Sequence, residues 1–165
     1  MNVLSLDVSM RNIGACLFVD DEPVQLFYLD NSNVKEKTKY ATIKACFTSA
    51  MDFIHTIPKH NIDAIVIESP TGSQSFGGAL NFAFEAAFFA YVQRLGYWCY
   101  NIPPTKGKLL TGDKNASKKD VIKWCVDRYP GLNYIKDKKG RLLNKNEHAC
   151  DSLVNGLAFI KDYAD

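Results

Sequence analysis

The sequence of 165 residues contains no apolar run long enough to cross a membrane, which argues against a transmembrane helix. Its opening, MNVLSLDVSM, lacks the basic segment, apolar run and small-residue cleavage site of a secretory signal, so we expect no such signal. With 47% hydrophobic and 23% charged residues, the composition is that of a folded globular protein. Since no repeat or linker divides residues 1–165, the length predicts a single domain.

Cysteine is sparse, and none of the five forms a C-x-x-C pair with another. A structural zinc site or a disulfide framework is therefore not expected. Cys16, Cys46 and Cys125 stand among apolar neighbours, as buried reduced thiols do. Reduced cysteines favour a cytoplasmic location.

The glycine-rich patterns that cradle nucleotide phosphates are also missing. Gly72, Gly77 and Gly78 lie close together, but neither G-x-x-x-x-G-K-[ST] nor G-x-G-x-x-G occurs. The sequence therefore gives little support for nucleotide binding.

Charge is distributed unevenly along the chain. Residues 103–145 contain 12 Lys and Arg against 4 Asp, a net charge of +8, while the whole chain carries only +2 and the remainder therefore −6. A basic segment on an otherwise acidic protein favours a polyanionic partner such as nucleic acid. A solvated surface of loops and helices would give the same charge pattern.

The order of apolar runs predicts a mixed α/β fold. Strands are predicted at 3–7, 13–19, 24–29, 63–68 and 97–102. Helices are predicted at 37–57, 79–95, 117–129 and 146–163, with a polar loop over 134–145. The first three strands follow one another through short turns, so they form an antiparallel meander, and the later strands join in parallel after helical crossovers. The result is a five-stranded sheet with helices on both faces.

Two carboxylates end apolar strands, where parallel α/β sheets bind ligands: Asp7 in LSLDVSM and Glu68 in AIVIESP. His148 and Asp151 are three residues apart in the last predicted helix and share a face with Asn155. Glu147 can reach the same region. Alone, each feature also fits a turn cap or a polar helix surface.

Taken together, an Asp, a Glu, a His and an Asp come from three separated elements. Oxygen ligands with one imidazole suit Mg²⁺ or Mn²⁺ better than zinc. Two such ions about 4 Å apart form the known arrangement for in-line phosphodiester cleavage.

Four segments in this order resemble RuvC-type Holliday-junction resolvases. The opening LSLDVSMRNIGACLF is similar to the family's first strand, turn and second strand, and IVIESP to its second acidic strand. KGKLLTGDKNASKKDVIKWC resembles its lysine-bearing segment, and HACDSL its closing motif. The resemblance implies an RNase H-like fold, a homodimer, and paired nicks across a four-way DNA junction that leave 5′-phosphate ends.

The resemblance also implies roles for particular residues. Asp7, Glu68, His148 and Asp151 take the metal-ligand positions. Lys118 matches a catalytic lysine near the scissile phosphate, with Lys119 as its competitor. The lysine expected before Thr111 falls on Gly107, so Lys106 or Lys108 must serve in DNA binding. Phe76 is the candidate aromatic that wedges into the junction centre. Two departures, Ser152 after the closing Asp and the unusual loop after Glu68, indicate a divergent, phage-like member.

An unusually aromatic helix is predicted in NFAFEAAFFAYVQRLG. It fits either a helix buried on all sides or a dimer interface. Because the family dimerises through the helix at this place, we favour the interface.

The sequence thus predicts an enzyme, a Mg²⁺-dependent endodeoxyribonuclease of recombination, repair or phage DNA processing. Two alternatives stay open: an RNase H-like nuclease for RNA or other branched DNA, and a junction-binding module without cleavage. The presence of all four ligands argues against the last.

Overall fold

The computed structural model describes residues 1–58, 61–69 and 76–164. The chain starts with an antiparallel meander of β1 (Val3–Val8), β2 (Asn12–Val19) and β3 (Glu22–Asp30). Helix α1 (Lys39–Thr56) leads to β4 (Ala64–Glu68), and α2 (Phe76–Arg94) leads to β5 (Cys99–Ile102). Three further helices follow: α3 (Pro104–Leu109), α4 (Lys118–Arg128) and α5 (Glu147–Ala164), the last preceded by a 3₁₀ turn at Asn144–Asn146.

The strands form one sheet in the order β3-β2-β1-β4-β5. Strands β4 and β5 join it in parallel, because α1 and α2 carry the chain back across the sheet. The predicted mixed five-stranded sheet is confirmed. Among the described residues, no helix has the length and apolar character needed to span a bilayer.

A separate apolar core covers each face of the sheet. On one face, Leu4, Leu6 and Ile65 pack with residues of α1 and α2. On the other, Val3, Phe18 and Val66 pack with α4 and α5. Alternate residues of β1 thus serve opposite cores, as a central strand requires, and the predicted helices on both faces are confirmed.

The ends of the predicted helices and strands differ from the observed ends by up to three residues, and one predicted loop has structure of its own. Helix α2 begins at Phe76 rather than 79, and β5 begins at Cys99 rather than 97. The segment 134–145, predicted as a loop, contains a bridge between Lys136 and Leu142 and is a hairpin. The hairpin could not be predicted from the local sequence, because the five basic residues of 134–145 interrupt any strand-like alternation.

The cysteines agree with the prediction of free thiols. All five are unpaired with one another, and Cys16, Cys46 and Cys125 are buried.

Candidate active site

The strand ends bring the first two carboxylates together. Ser5 pairs with Val66 and Leu6 with Ile67 in the parallel ladder between β1 and β4, so Asp7 and Glu68 follow at the same edge of the sheet. Both side chains are half-buried. Continuous apolar runs build the two central strands, and each run ends where its carboxylate must reach solvent or a partner.

Helix α5 reaches this edge because β2 has no side chain at Gly14. A Cβ atom there would lie 2.1 Å from the carbonyl carbon of His148, so only glycine permits this approach. Gly14 pairs with Asp7 across the ladder. His148 therefore lies over Asp7, and its Nδ1 is 2.6 Å from Asp7 Oδ2. Asp151 follows one helical turn later on the same face.

These side chains line one cavity of about 430 Å³. Its walls carry five carboxylates: Asp7, Glu68, Glu85, Glu147 and Asp151. The positive or titratable partners in the walls are Lys108, Lys118 and His148. The cavity is therefore rich in negative charge, although it lies beside the basic part of the chain.

The pKa values of three of these carboxyls are raised, because the groups are buried close to one another. Burial, and then the charge of Asp7, raise the pKa of Glu68 to about 8, although a hydrogen bond from Asn155 opposes the shift. The same two causes raise the pKa of Asp151 to about 6 and that of Glu85 to about 7. Carboxyls that resist ionisation in one another's presence are stabilised as anions by a cation among them.

Burial and the neighbouring Asp7 shift the pKa of His148 in opposite directions. Burial lowers the pKa of the imidazole, but the hydrogen bond to Asp7 and the charge of Asp7 outweigh it, so the net shift is upward. The imidazole is thus held over the carboxylate as its partner.

The donor set fits a hard divalent cation, since it offers carboxylate oxygens and one imidazole nitrogen. Within residues 1–58, 61–69 and 76–164, however, no three His, Cys, Asp or Glu side chains are already arranged about a common point as ligands.

The predicted lysines fall into different surroundings. Lys118 and Lys108 line the cavity, and Lys118 forms an ion pair with Glu147. Lys119 instead lines a neighbouring groove on α4. Lys106 forms an ion pair with Asp162 of α5. The sequence left open whether Lys118 or Lys119 is the catalytic lysine, and whether Lys106 or Lys108 binds DNA. In each case one lysine faces the carboxylates, Lys118 in the first and Lys108 in the second.

The N-terminus of α4 is already capped. Ser117 Oγ accepts from the backbone N–H of Asp120 at 3.3 Å, and the Asp120 carboxylate accepts from the N–H of Ser117 at 3.0 Å. This capping box places an acidic group at the helix start. An anion at this helix start therefore meets the Asp120 carboxylate as well as the ammonium group of Lys118.

Sequence reasoning missed Glu85 and gave Asn155 no role. Glu85 lies on α2 and was hidden in an apolar helix whose orientation its pattern did not define, yet it is the one charged residue in 76–93. Asn155 is buried and donates Nδ2 to Glu68 Oε2 at 2.6 Å. The side chain of Phe76, the predicted wedge, lies outside the described residues.

No protein-family model matches this chain, and no curated protein matches its sequence. Solved structures do. RuvC of T. thermophilus in complex with a Holliday junction substrate has a TM-score of 0.67 at 14% identity, over 99% of this chain and 94% of that one. Fowlpox virus resolvase in complex with Holliday junction DNA has a TM-score of 0.60 at 16% identity, over 100% of both chains.

The yeast mitochondrial Holliday junction resolvase Ydc2 has a TM-score of 0.63 at 13% identity, over 98% of this chain and 78% of that one. These likenesses identify the fold as the RNase H-like α/β fold of RuvC-type Holliday-junction resolvases. The predicted fold resemblance is therefore confirmed at the level of three-dimensional structure.

Proposed function

We propose that this chain is a divalent-metal-dependent endonuclease that cleaves four-way (Holliday) DNA junctions. One observation carries the proposal: Asp7, Glu68, His148 and Asp151 come from three separate elements and line one acidic cavity at the sheet edge. Support comes from the shared fold, since two of the similar structures are resolvases in complex with Holliday junction DNA.

In this proposal Asp7, Glu68, His148 and Asp151 hold Mg²⁺, for which Mn²⁺ can substitute. A metal ion bound by these residues would supply positive charge to stabilise the attacked phosphate and the leaving 3′ oxygen. Asp7 keeps His148 oriented, and Asn155 holds Glu68.

Lys118, which lines the same cavity, acts on the scissile phosphate. Glu147 holds its ammonium group at the cavity, and positive charge fixed there stabilises the charge that develops in the transition state. Lys108 binds the adjacent backbone, and Lys106 and Lys119 extend the contact outward.

A four-way junction offers two equivalent strands, so paired cleavage requires two cavities. We propose a homodimer related by a two-fold axis, in which α2 forms the contact. Its outward face is suited to close approach because it presents Ala79, Ala83, Ala86, Ala87 and Ala90 beside the exposed ring of Phe82.

The test is cleavage of four labelled substrates in Mg²⁺ and in EDTA: a mobile four-way junction, a replication fork, an RNA–DNA hybrid and a linear duplex. We expect symmetric nicks in the junction, ligatable ends, and no product in EDTA. Preferential cleavage of the hybrid would instead assign the chain to RNA or hybrid hydrolysis. Tight junction binding without cleavage in Mg²⁺ or Mn²⁺ would make it a binding module.

A further inference from the structure

Residues 135–143, between α4 and α5, form a short basic hairpin. Lys136 and Leu142 bridge its two sides. Backbone hydrogen bonds close it at both ends: Leu143 N–H donates to Ile135 O at 3.1 Å, and Gly140 N–H to Asp137 O at 2.9 Å.

One buried side chain fixes the base of this basic hairpin. Asn146 is 0% exposed, and its Oδ1 accepts from the N–H of Ile135 at 2.7 Å and the hydroxyl of Tyr28 at 3.1 Å. Its Nδ2 donates to the carbonyls of Ile135 and Leu143, both at 2.8 Å. Buried polar groups satisfied in this way define a single conformation.

Two further contacts join the flanks of the basic hairpin to β3. Asn133 accepts from Leu26 N–H and donates to Leu26 O, each at 2.8 Å. Lys145 forms an ion pair with Asp30 at 2.5 Å. The hairpin is therefore attached at its base to the edge of the sheet, and only its tip projects.

The tip carries positive charge that the protein does not neutralise. Asp137 is the one acidic residue in 135–143. Its carboxylate accepts from the N–H groups of Lys139 and Arg141 at 2.8 and 2.9 Å, and from Arg141 Nε at 2.7 Å. It thus supports the turn and pairs with Arg141, while Lys136, Lys138 and Lys139 are exposed and form no ion pair in the described part of the chain.

A groove of about 310 Å³ lies between α4 and the C-terminal side of the hairpin. Lys119 and Lys123 line it from α4, and Leu142 and Leu143 from the hairpin, with Asp127 as its acidic member. Lys118, next to Lys119 in sequence, lines the cavity itself. Basic groups therefore continue from the carboxylate cavity along α4 to the hairpin.

We propose that the basic hairpin binds the phosphate backbone of a duplex arm of the substrate, away from the bond that is cut. This inference rests on the proposed function. Lysines act on phosphates as point charges and carry no base specificity. A single strand would need aromatic platforms for its bases, and the tip, residues 136–141, has no aromatic residue.

The test compares Lys138→Ala/Lys139→Ala with the control Lys44→Ala/Lys161→Ala. The control removes the same charge from two exposed lysines on α1 and α5. Binding to a four-way junction is measured by fluorescence anisotropy in Ca²⁺ between 50 and 200 mM salt. We expect the hairpin variant to lose about tenfold in affinity at 100 mM, and its slope of log K against log salt to fall by about two.

Single-turnover cleavage in Mg²⁺ at saturating DNA should stay within about twofold of wild type, because the hairpin does not touch the reacting atoms. Equal affinity and slope in the two double variants would overturn the inference. So would a loss confined to single-stranded DNA or to an RNA–DNA hybrid. Binding is measured in Ca²⁺, where no cleavage is needed. Failure of the nuclease proposal would therefore be distinguishable, because the wild-type chain would then give no product in Mg²⁺.

Discussion

The side-chain amide of Asn155 donates to Glu68 Oε2 at 2.6 Å and thereby joins α5 to the end of β4. Asn155 is 1% exposed, and its Oδ1 lies in the space that a side chain at Gly107 would fill, since a Cβ there would be 2.3 Å away. Helix α3 thus packs closely against the amide. The bond favours the charged form of Glu68, against burial and the charge of Asp7, which raise its pKa.

Asn155→Ala should therefore slow cleavage without unfolding the chain. A hydrogen bond to a charged group contributes about 1.5–3 kcal/mol, so we expect a roughly tenfold to hundredfold slower single-turnover rate near pH 7. The lost rate should recover partly at higher pH, because the pKa of Glu68 rises further without the amide. The measurement is single-turnover rate against pH, with junction affinity in Ca²⁺ measured in parallel.

Ser152→Ala is the matched control, since Ser152 is also buried on α5 but its hydroxyl donates to Ala149 O within its own helix, at 2.7 Å. It should leave the pH profile unchanged. If Asn155→Ala also has the pH profile of wild type, the amide contributes to packing and not to the ionisation of Glu68.

The acidic cavity should destabilise the metal-free protein at alkaline pH. The pKa of Glu68 is raised from 4.5 to about 8, so the folded state holds a proton that the unfolded chain releases. The resulting stability is fully present below the unfolded pKa and is lost as pH rises through about 8. Glu68→Gln should therefore raise the free energy of unfolding in EDTA at pH 9 by about 1–3 kcal/mol, with little effect at pH 4.

Thermal melts of wild type and variant in EDTA at both pH values provide the measurement. Glu22→Gln, at an exposed carboxylate on β3, serves as the control. Mg²⁺ or Mn²⁺ should raise the Tm of wild type more than that of Glu68→Gln. If Glu68→Gln has a lower Tm than wild type at pH 9, the neighbours of Glu68 do not destabilise its charged form.

The fold was largely predictable because its determinants are local. The apolar runs that became β1 and β4 end in Asp7 and Glu68, and the parallel crossover rule places such ends at one sheet edge. The sequence also predicted which face of α5 is directed to the site, because His148 and Asp151 share a face opposite Leu153. These predictions needed only periodicity and the chirality of the connections.

The remainder depended on contacts between distant residues. Helix α2 is apolar around its circumference, so its pattern did not indicate that Glu85 faces Asp7 while Phe88 faces the core. The basic hairpin depends on Asn146, whose amide bonds to Tyr28 far away in sequence. No local pattern encodes either relationship.

Removing single ligand carboxylates should separate binding from cleavage. Asp7→Asn, Glu68→Gln and Asp151→Asn each keep the shape of the side chain but remove the charge a metal requires. We expect no detectable junction cleavage in Mg²⁺ and junction affinity equal to or above wild type, because negative charge near the DNA decreases. Gel-based cleavage and anisotropy check both. Any variant that cuts at near wild-type rate removes its residue from the metal site.

Substitutions at Lys118 and Lys119 should have different effects, the first on cleavage and the second on DNA binding, although the two residues are adjacent. Lys118 lines the cavity and Lys119 the outer groove. Lys118→Ala should slow single-turnover cleavage at saturating DNA, because the ammonium acts on charge that develops in the transition state. Lys119→Ala should weaken binding and lower the salt slope by about one. If Lys118→Ala loses affinity alone and cuts normally once bound, the catalytic role belongs elsewhere.

Dimerisation should depend on Phe82 and not on the buried rings of α2. Phe82 is 51% exposed beside the outward alanines, whereas Phe88 is 0% exposed within the core between α1, α2 and the sheet. A charge at Phe88 would therefore unfold the protomer and report nothing about an interface. Phe82→Glu replaces an exposed ring, so it should yield a folded monomer if α2 forms the contact.

Sedimentation at micromolar concentration gives the oligomeric state, and circular dichroism shows that the variant remains folded. We expect a dimer for wild type and for Trp98→Glu, a control at an exposed aromatic residue between α2 and β5. We expect a monomer for Phe82→Glu. That monomer should nick one strand of the junction at a time, since each cavity is complete within its own chain while paired cutting requires two cavities on one substrate. A wild-type monomer, with or without junction DNA, would contradict both the dimer and the symmetric cleavage it supports.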